Sequence, residues 1–368
     1  MVIDAASATR VSQHRADGAP GGLCVVGDDE LLTSRRGRAV MLAFAWRKED
    51  PIGRFAAPEE VGPLASSPDG AFVVAGGASG ALYVWETATG SLLTVCKAHY
   101  RAVTCACFSV DGSLVFTGSE DALVHVWDLA ALVSVGAAGE STRPLRSVTG
   151  FQLAITGVCV AGASAIAATS MDRSLRVVEP RTGRALLHAV LPCAPLCVVV
   201  DAVAGVAVSG GMDGNVYCHP LNHARPRVLG GHTAPVTCVC LAPVANATVA
   251  SGSEDGTVRL WNVEFEQAVL VIGAEAPVLF LLAVATVPDA PLGRKPPAAP
   301  ALRKLKDDEE TMRDRLVPWP RAAEAVMAPP AASSSSPVAA VHGAHSKDWQ
   351  DACARLYAIA CDKLVDRL

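Results

Sequence analysis

Short apolar runs of strand length alternate along this chain with brief polar turns, and one order of signals returns repeatedly. From Ala98 to Leu129 the order is His99, the run VTCACF, a turn at Asp111–Gly112, the run LVFTGS, the pair Glu120–Asp121, and a third run ending in Trp127. From Gly231 to Val263 it recurs as His232, VTCVC, a turn, the triplet SGS, Glu254–Asp255, and a run ending in Trp261. In the first run of each copy two cysteines stand two apart, Cys105/Cys107 and Cys238/Cys240, so each pair falls on one face of a strand. The pattern predicts strands joined by tight turns.

Four weaker copies follow the same ruler. Trp85 closes DGAFVVAGGASGALYVWE, where Asp69–Gly70 is a hairpin turn signal. Trp46 closes a degenerate copy that begins near Gly21. Val178 and His219 occupy the closing place in SAIAATSMDRSLRVVE and GVAVSGGMDGNVYCH. Successive closing positions lie 39, 42, 51, 41 and 42 residues apart, and the one long interval carries its surplus between Gly136 and Thr149. A period of about 40 residues ending in Trp resembles the WD repeat, in which each copy is one four-stranded blade of a β-propeller. The expected fold is therefore an all-β WD40 β-propeller over residues 1–291. Six copies are countable. A seventh blade is expected from Ala274 to about Pro291, its outer strand coming from later residues or from the N-terminal stretch, and seven blades is the predicted count. Joining the chain ends in one blade would remove exposed sheet edges.

In the two strong copies the polar residues make a coherent set. His99, Thr117, Asp121 and Trp127, and again His232, Ser251, Asp255 and Trp261, stand where WD repeats form a buried hydrogen-bonded chain. An indole N–H only donates, an ionised carboxylate only accepts, and hydroxyl and imidazole bridge the two. These eight residues are the candidate blade networks, with Trp46 and Trp85 as further blade-closing aromatics. The His-Asp-hydroxyl trio also resembles a catalytic set, but it recurs with the blade period, which favours a structural role. Other copies depart from it. Ala75 and Ser79, Ala168 and Val178, and His219 beside Ser209 and Asp213 leave incomplete sets, so those blades are expected to rest mainly on apolar packing.

Composition narrows the function. The 368 residues carry net charge −5 and no basic stripe, which points to protein partners and away from a main affinity for RNA through its phosphates. The twelve cysteines include no CxxC pair, Cys193 and Cys197 being one residue too far apart, and read as reduced, buried thiols. No phosphate loop, zinc motif or nucleophile elbow occurs, so no catalytic, cofactor or metal residue is predicted. Met1–Arg10 lacks an apolar signal segment, and Gly273, Glu275 and Pro277 interrupt the apolar run Ala268–Val287, so an intracellular chain without a membrane span is expected.

After Pro288 the composition changes. Residues 292–346 read as a linker rich in Pro, Ala and Ser with a charged run at Arg303–Glu310, and Arg294–Lys295 and Arg303–Lys306 are candidate nuclear import signals. Residues 347–368 place Trp349, Cys353, Leu356, Ala360 and Leu364 on one stripe, which predicts a short amphipathic helix.

GGASGALYVWETATGSLL followed by AHYRAVTCACFSVDGSLVFTGSEDALVHVWDL, then SMDRSLRVVE, SGGMDGNVY and SGSEDGTVRLW in that order, resembles one family. It is the WD-repeat subunit of the nuclear complex that matures the large ribosomal subunit, the plant ROOT INITIATION DEFECTIVE type. The resemblance runs from about Gly22 to Asn262 and is most specific from Gly76 to Leu129; both chain ends depart from the family pattern. It implies a non-enzymatic scaffold in 60S subunit biogenesis and internal transcribed spacer processing, located in the nucleoplasm and nucleolus, with a pool shared with the cytoplasm as the alternative. Implied partners are two helical-repeat subunits, the AAA ATPase midasin and the pre-60S particle, with no small-molecule substrate, and a link to replication licensing. Two other classes compete: a substrate receptor of a cullin ubiquitin ligase and a signalling or trafficking scaffold. Against the first, Trp127–Asp128 and Trp261–Asn262 are not continued into the WDxR motif. The loop Gly136–Thr149 is a candidate contact segment.

Overall fold

A computed structural model describes residues 2–284 and 357–360, apart from 5–8, 13–17, 28–29, 47, 49, 137–142, 163–164, 223–224, 245–246 and 275. Two short strands, β1 (Val2–Asp4) and β2 (Thr9–Ser12), open the chain. Six sheets of four consecutive strands follow, each in the simple order of the chain. Blade one holds β3 (Gly18–Val26), β4 (Glu30–Arg35), β5 (Val40–Ala45) and β6 (Gly53–Ala56). Blade two holds β7 (Val61–Ser66), β8 (Phe72–Gly77), β9 (Ala81–Glu86) and β10 (Leu92–Lys97). In blade three, β11 (Val103–Phe108), β12 (Leu114–Ser119) and β13 (Val124–Asp128) are followed by helix α1 (Leu129–Gly136) and then β14 (Arg146–Val148). Blade four runs through β15 (Ile155–Ala161), β16 (Ala165–Ser170), β17 (Ser174–Val178) and β18 (Ala185–Val190). Blade five has β19 (Pro195–Asp201), β20 (Val206–Gly211), β21 (Val216–Pro220) and β22 (Arg227–Leu229), and blade six has β23 (Val236–Val244), β24 (Ala247–Ser253), β25 (Thr257–Asn262) and β26 (Gln267–Gly273).

The first strands of successive blades pack on one another, from β3 through β7, β11, β15 and β19 to β23, and so form the inner ring. Blade faces stack against their neighbours, which is why second strands are buried on both sides: every residue of LVFTGS in β12 and of AIAATS in β16 is buried. Such strands read as continuous apolar runs, whereas an outer strand such as β18 alternates between exposure and burial. The cores lie between blades. Phe55, Leu64 and Trp85 share one cluster across blades one and two, and Phe116, Val126, Ile155 and Ile166 share another across three and four.

The signature triplet at the end of each second strand has a separate job for each residue. In Thr117-Gly118-Ser119 the threonine faces the polar network described below. The glycine lets the next blade approach: a Cβ at Gly118 would lie 2.6 Å from Cys105 Sγ and 2.7 Å from Ile155 Cγ2. Ser119 Oγ donates to Arg101 O at 3.1 Å, as Ser170 does to Leu153 O and Ser253 to Ala234 O, tying the turn to the loop that enters the blade.

The expected count of seven blades is corrected to six, and the expected C-terminal helix is not supported. Among the described residues of the stretch expected to start a seventh blade, one strand arises, β27 (Leu281–Val284). The other strands of its sheet come from both chain ends, so no run of four consecutive strands forms there among the described residues. A sheet of order β2-β1-β28-β27 gathers the remaining strands, where β28 (Tyr357–Ala360) lies inside the segment expected to be helical. There the backbone pairs with two strands at once, Val2–Asp4 on one side and Leu281–Val284 on the other. A short helix without a docking surface is marginal, and ladder hydrogen bonds on both edges outweigh it. The other residues of 347–368, and the linker 292–346, lie outside the described residues. Between blade six and blade one, Val278 and Leu281 pack against Val258 and Leu260, while Phe280 and Leu282 pack against Phe44 and Trp46.

The long interval in blade three is also redistributed. Part of its surplus is α1, whose Leu132 is fully buried among Leu82, Val84 and Trp127, and whose Leu132 carbonyl accepts from Thr94 Oγ1 at 2.6 Å. Residues 137–142 of the predicted loop lie outside the described residues.

Candidate functional site: the polar networks and the loop end of the ring

The loops that enter the blades and the turns between second and third strands meet at one end of the ring. At each meeting a turn N–H bonds a carbonyl of the entering loop: Ala78 to Glu60, Glu120 to Ala102, Met171 to Ala154, Met212 to Ala194 and Glu254 to Pro235. These five turn positions are therefore equivalent, and the polar networks hang beneath them.

In blade three Trp127 Nε1 donates to Thr117 Oγ1 at 2.9 Å, His99 Nε2 lies 2.8 Å from the same hydroxyl, and His99 Nδ1 lies 3.0 Å from Asp121 Oδ2. Blade six repeats this: Trp261 Nε1 to Ser251 Oγ 2.7 Å, His232 Nε2 to Ser251 Oγ 2.7 Å, His232 Nδ1 to Asp255 Oδ2 3.0 Å. All eight predicted network residues are thus brought together in two groups of four. The donor-only indole and acceptor-only carboxylate orient the chain. The indole gives to the hydroxyl, the hydroxyl gives to Nε2, and Nδ1–H gives to the carboxylate. A neutral Nδ1–H imidazole satisfies every link. Burial is the largest influence on both histidines and lowers their pKa, opposed by the paired carboxylates. At Asp255 burial raises the pKa but is outweighed by Thr257, by the Thr233 and Thr257 N–H groups and by His232, and the net value falls to about 2.

Chemically these sets do not present a nucleophile. Thr117 and Ser251 have no accessible surface, and each hydroxyl is already committed as donor and acceptor. His125, stacked on His99 at 4.4 Å between ring centroids, is held neutral as well; burial, then the neighbouring His99, take its pKa to about 4, with Asp121 opposing.

The register relocates one predicted aromatic. Thr33 pairs with Leu42 and Leu31 with Phe44, as Thr117 pairs with His125 and Val115 with Trp127. Phe44, not Trp46, occupies the closing place of blade one. Trp46 lies just beyond β5 and is buried against Leu23 and Leu31. Trp85 sits at the predicted place in β9, opposite Val73.

Blade two was expected to lean on apolar packing, yet it has a polar set of its own. Glu59, from the loop entering the blade, accepts from Ser79 Oγ at 2.7 Å, Tyr83 Oη at 2.9 Å and Ser79 N at 3.1 Å. The carboxylate has moved from the turn to the loop, and Tyr83 supplies the donor. Blade five keeps Asp213, which accepts from Tyr217 Oη at 2.6 Å, Asn215 Nδ2 at 2.8 Å and Cys193 Sγ at 3.2 Å. Tyr83 and Tyr217 occupy the same place, each two residues before the closing residue, and that recurrence was the available signal. In blade five Ser209 Oγ and His219 Nε2 are buried without a hydrogen-bond partner.

Ten of the cysteines are described and all are unbridged. Cys105 and Cys159 are pushed up to about 12, chiefly by burial. Among the described residues no group of three or more His, Cys, Asp or Glu is placed to hold a metal, and no helix is long and apolar enough to cross a membrane.

The family described as WD domain, G-beta repeat matches residues 64–86, 90–128 and 224–262. Among curated proteins, the chain is 28% identical over 277 residues to WD repeat-containing protein 18 of Homo sapiens, covering 70% of this chain and 63% of that protein. It is 30% identical over 255 residues to Protein ROOT INITIATION DEFECTIVE 3 of Arabidopsis thaliana, 66% of this chain and 58% of that one. To Pre-rRNA-processing protein IPI3 of Yarrowia lipolytica it is 27% identical over 322 residues, 79% and 74% of the two chains. The chain thus spans less than two thirds of the human and plant relatives. Repeat spacing, six blades of four consecutive strands and the matched segments agree: the chain carries WD40 repeats arranged as a β-propeller.

Proposed function

We propose that this chain is a non-enzymatic scaffold of a nuclear complex that matures the large ribosomal subunit and supports pre-rRNA processing. The observation that carries this reading is similarity extending over 79% of the chain to a protein named for pre-rRNA processing. The chemistry of the ring supports a scaffold. Its recurrent His, Asp and hydroxyl groups are engaged with one another, and we read them as clamps that hold blades three and six rigid. The exposed loops and turns are then free to carry contacts. The finer assignments rest on the same similarity: residence in nucleoplasm and nucleolus, partnership with helical-repeat subunits and a midasin-type AAA ATPase on pre-60S particles, and a link to replication licensing.

Affinity purification of the tagged chain from its own cells, with mass spectrometry of what accompanies it, tests the reading. Recovery of the ATPase, the helical-repeat proteins and large-subunit precursors is the expected result. Recovery of a cullin adaptor, or of cytoplasmic signalling partners alone, would overturn it.

A further inference from the structure

The fourth strand of each blade ends its sheet, so its outer side is an unpaired ladder that another chain could extend. Short strands and charged side chains blunt such edges. Blades one to five use both devices. β14 and β22 have three residues each and begin with an arginine. β6 carries Arg54, β10 ends in Lys97 and β18 contains His188, all three exposed.

Blade six keeps a long, uncharged edge. β26 is the longest of the six at seven residues, and QAVLVIG holds neither an ionisable side chain nor a proline. Leu270 and Ile272 pack into the blade core with Val258 and Leu260. Val269 and Val271 turn the other way, and each is 49% exposed. The longer fourth strands β10, β18 and β26 all have a bulge near their start, so the bulge does not set β26 apart. Beyond it, Leu270–Gly273 pair residue for residue with Thr257–Leu260, which leaves a regular apolar edge with Val271 near its middle.

An uncharged strand selects neither a cationic nor an anionic partner, but it is complementary to itself. Its flanking charges then choose the direction of pairing. Glu264 and Glu266 are exposed at the start of the strand. At its end the chain leaves the edge, Ala274 N bonding Gly256 O at 2.6 Å. Parallel pairing of two copies in register would set their glutamates side by side. Antiparallel pairing about a twofold axis sends the glutamates of each copy past the end of the other strand.

We propose that β26 pairs with β26 of a second copy of this chain, antiparallel across a twofold axis at Val271. The two sixth blades become one eight-stranded sheet. The two Val271 side chains meet at the axis, and Val269 of each copy lies across from Gly273 of the other. The contact is a short strand pair, so the dimer is weak and reversible. It also stops at two copies, because each edge is consumed by the other.

Sedimentation velocity of the full chain, in reducing buffer over about a hundredfold range of concentration, should show a monomer–dimer equilibrium. Val271→Lys and Val271→Glu should each weaken it at least about tenfold, since like charges then meet at the axis. An equimolar mixture of the two variants should dimerise again. Val95→Lys, at a 56% exposed position of β10, should leave association unchanged. Thermal melting of each variant, at concentrations where the wild type is monomeric, separates a lost contact from a lost fold. The proposal is overturned if the wild type stays monomeric or forms open-ended oligomers. It is equally overturned if Val271→Lys dimerises as the wild type does, if the mixture fails to dimerise, or if Val95→Lys weakens association as much.

Discussion

Thr117→Val is the most direct probe of how the blades are held. The threonine is fully buried, and valine keeps its β-branched shape while deleting only the hydroxyl. Two groups lose their partner: the Trp127 indole N–H, bonded at 2.9 Å, and the His99 Nε2 lone pair, 2.8 Å away. A buried polar group left unsatisfied costs about 1–3 kcal/mol, and some relaxation around a nearly isosteric side chain is expected, so the variant should lose about 2–4 kcal/mol. Urea unfolding followed by tryptophan fluorescence and circular dichroism measures this as a midpoint shift at common slope. Ser251→Ala in blade six should lose a similar amount. The two Trp residues belong to separate clusters, one across blades two and three and the other across five and six, so the double variant should be additive within about 0.5 kcal/mol. A Thr117→Val protein within about 0.5 kcal/mol of the wild type would refute the argument that the hydroxyl is the junction of a buried chain.

Other outcomes follow from the same geometry. Asp121→Ala or Asp255→Ala removes the acceptor of a buried imidazole N–H and should destabilise by about 2–4 kcal/mol, read by the same unfolding assay. Glu59→Gln should lower the Tyr83 pKa, which burial and then Glu59 hold above its ordinary value, and ultraviolet titration of the phenol reports it. Gly252→Ala places a Cβ 2.5 Å from Val278 Cγ1 and 2.7 Å from Cys238 Sγ, so overpacking should cost about 1–3 kcal/mol in urea midpoint measurements. His99, His125 and His232 all have folded pKa values below the unfolded one, so between the two the unfolded chain binds more protons. Stability should therefore be intact above pH 6.5 and fall as pH drops toward about 4, the folded value of His125, while His125→Gln should flatten that fall.

Much of this protein is legible in the order of its residues. Strong copies announce themselves because each signature residue answers a local need: hydroxyl, glycine and serine of the triplet, the carboxylate of the turn, the closing indole. Both complete networks could be named for that reason, since a buried donor-only Trp and acceptor-only Asp require bridging partners at fixed offsets. The substitute network of blade two was not legible, because Glu59 lies outside the strands that set the ruler and joins Tyr83 only through the loop geometry. Phe44 was missed in favour of Trp46 because a tryptophan two residues further on looks like the closing residue, and only pairing register separates them. Helix α1 escaped notice because a helix of eight residues is too short to show a period.

Local periodicity by itself determined the blade type and the polar clamps of the two strong repeats, since those follow from interactions within one repeat. Tertiary structure decided the number of blades and the fate of the chain ends. A strand such as Tyr357–Ala360 takes its form from the two edges that bind it, Val2–Asp4 and Leu281–Val284, which lie far away in sequence. No window of residues around 357 contains those edges, so their hydrogen bonds leave no local trace, and a helical stripe there gives way to them.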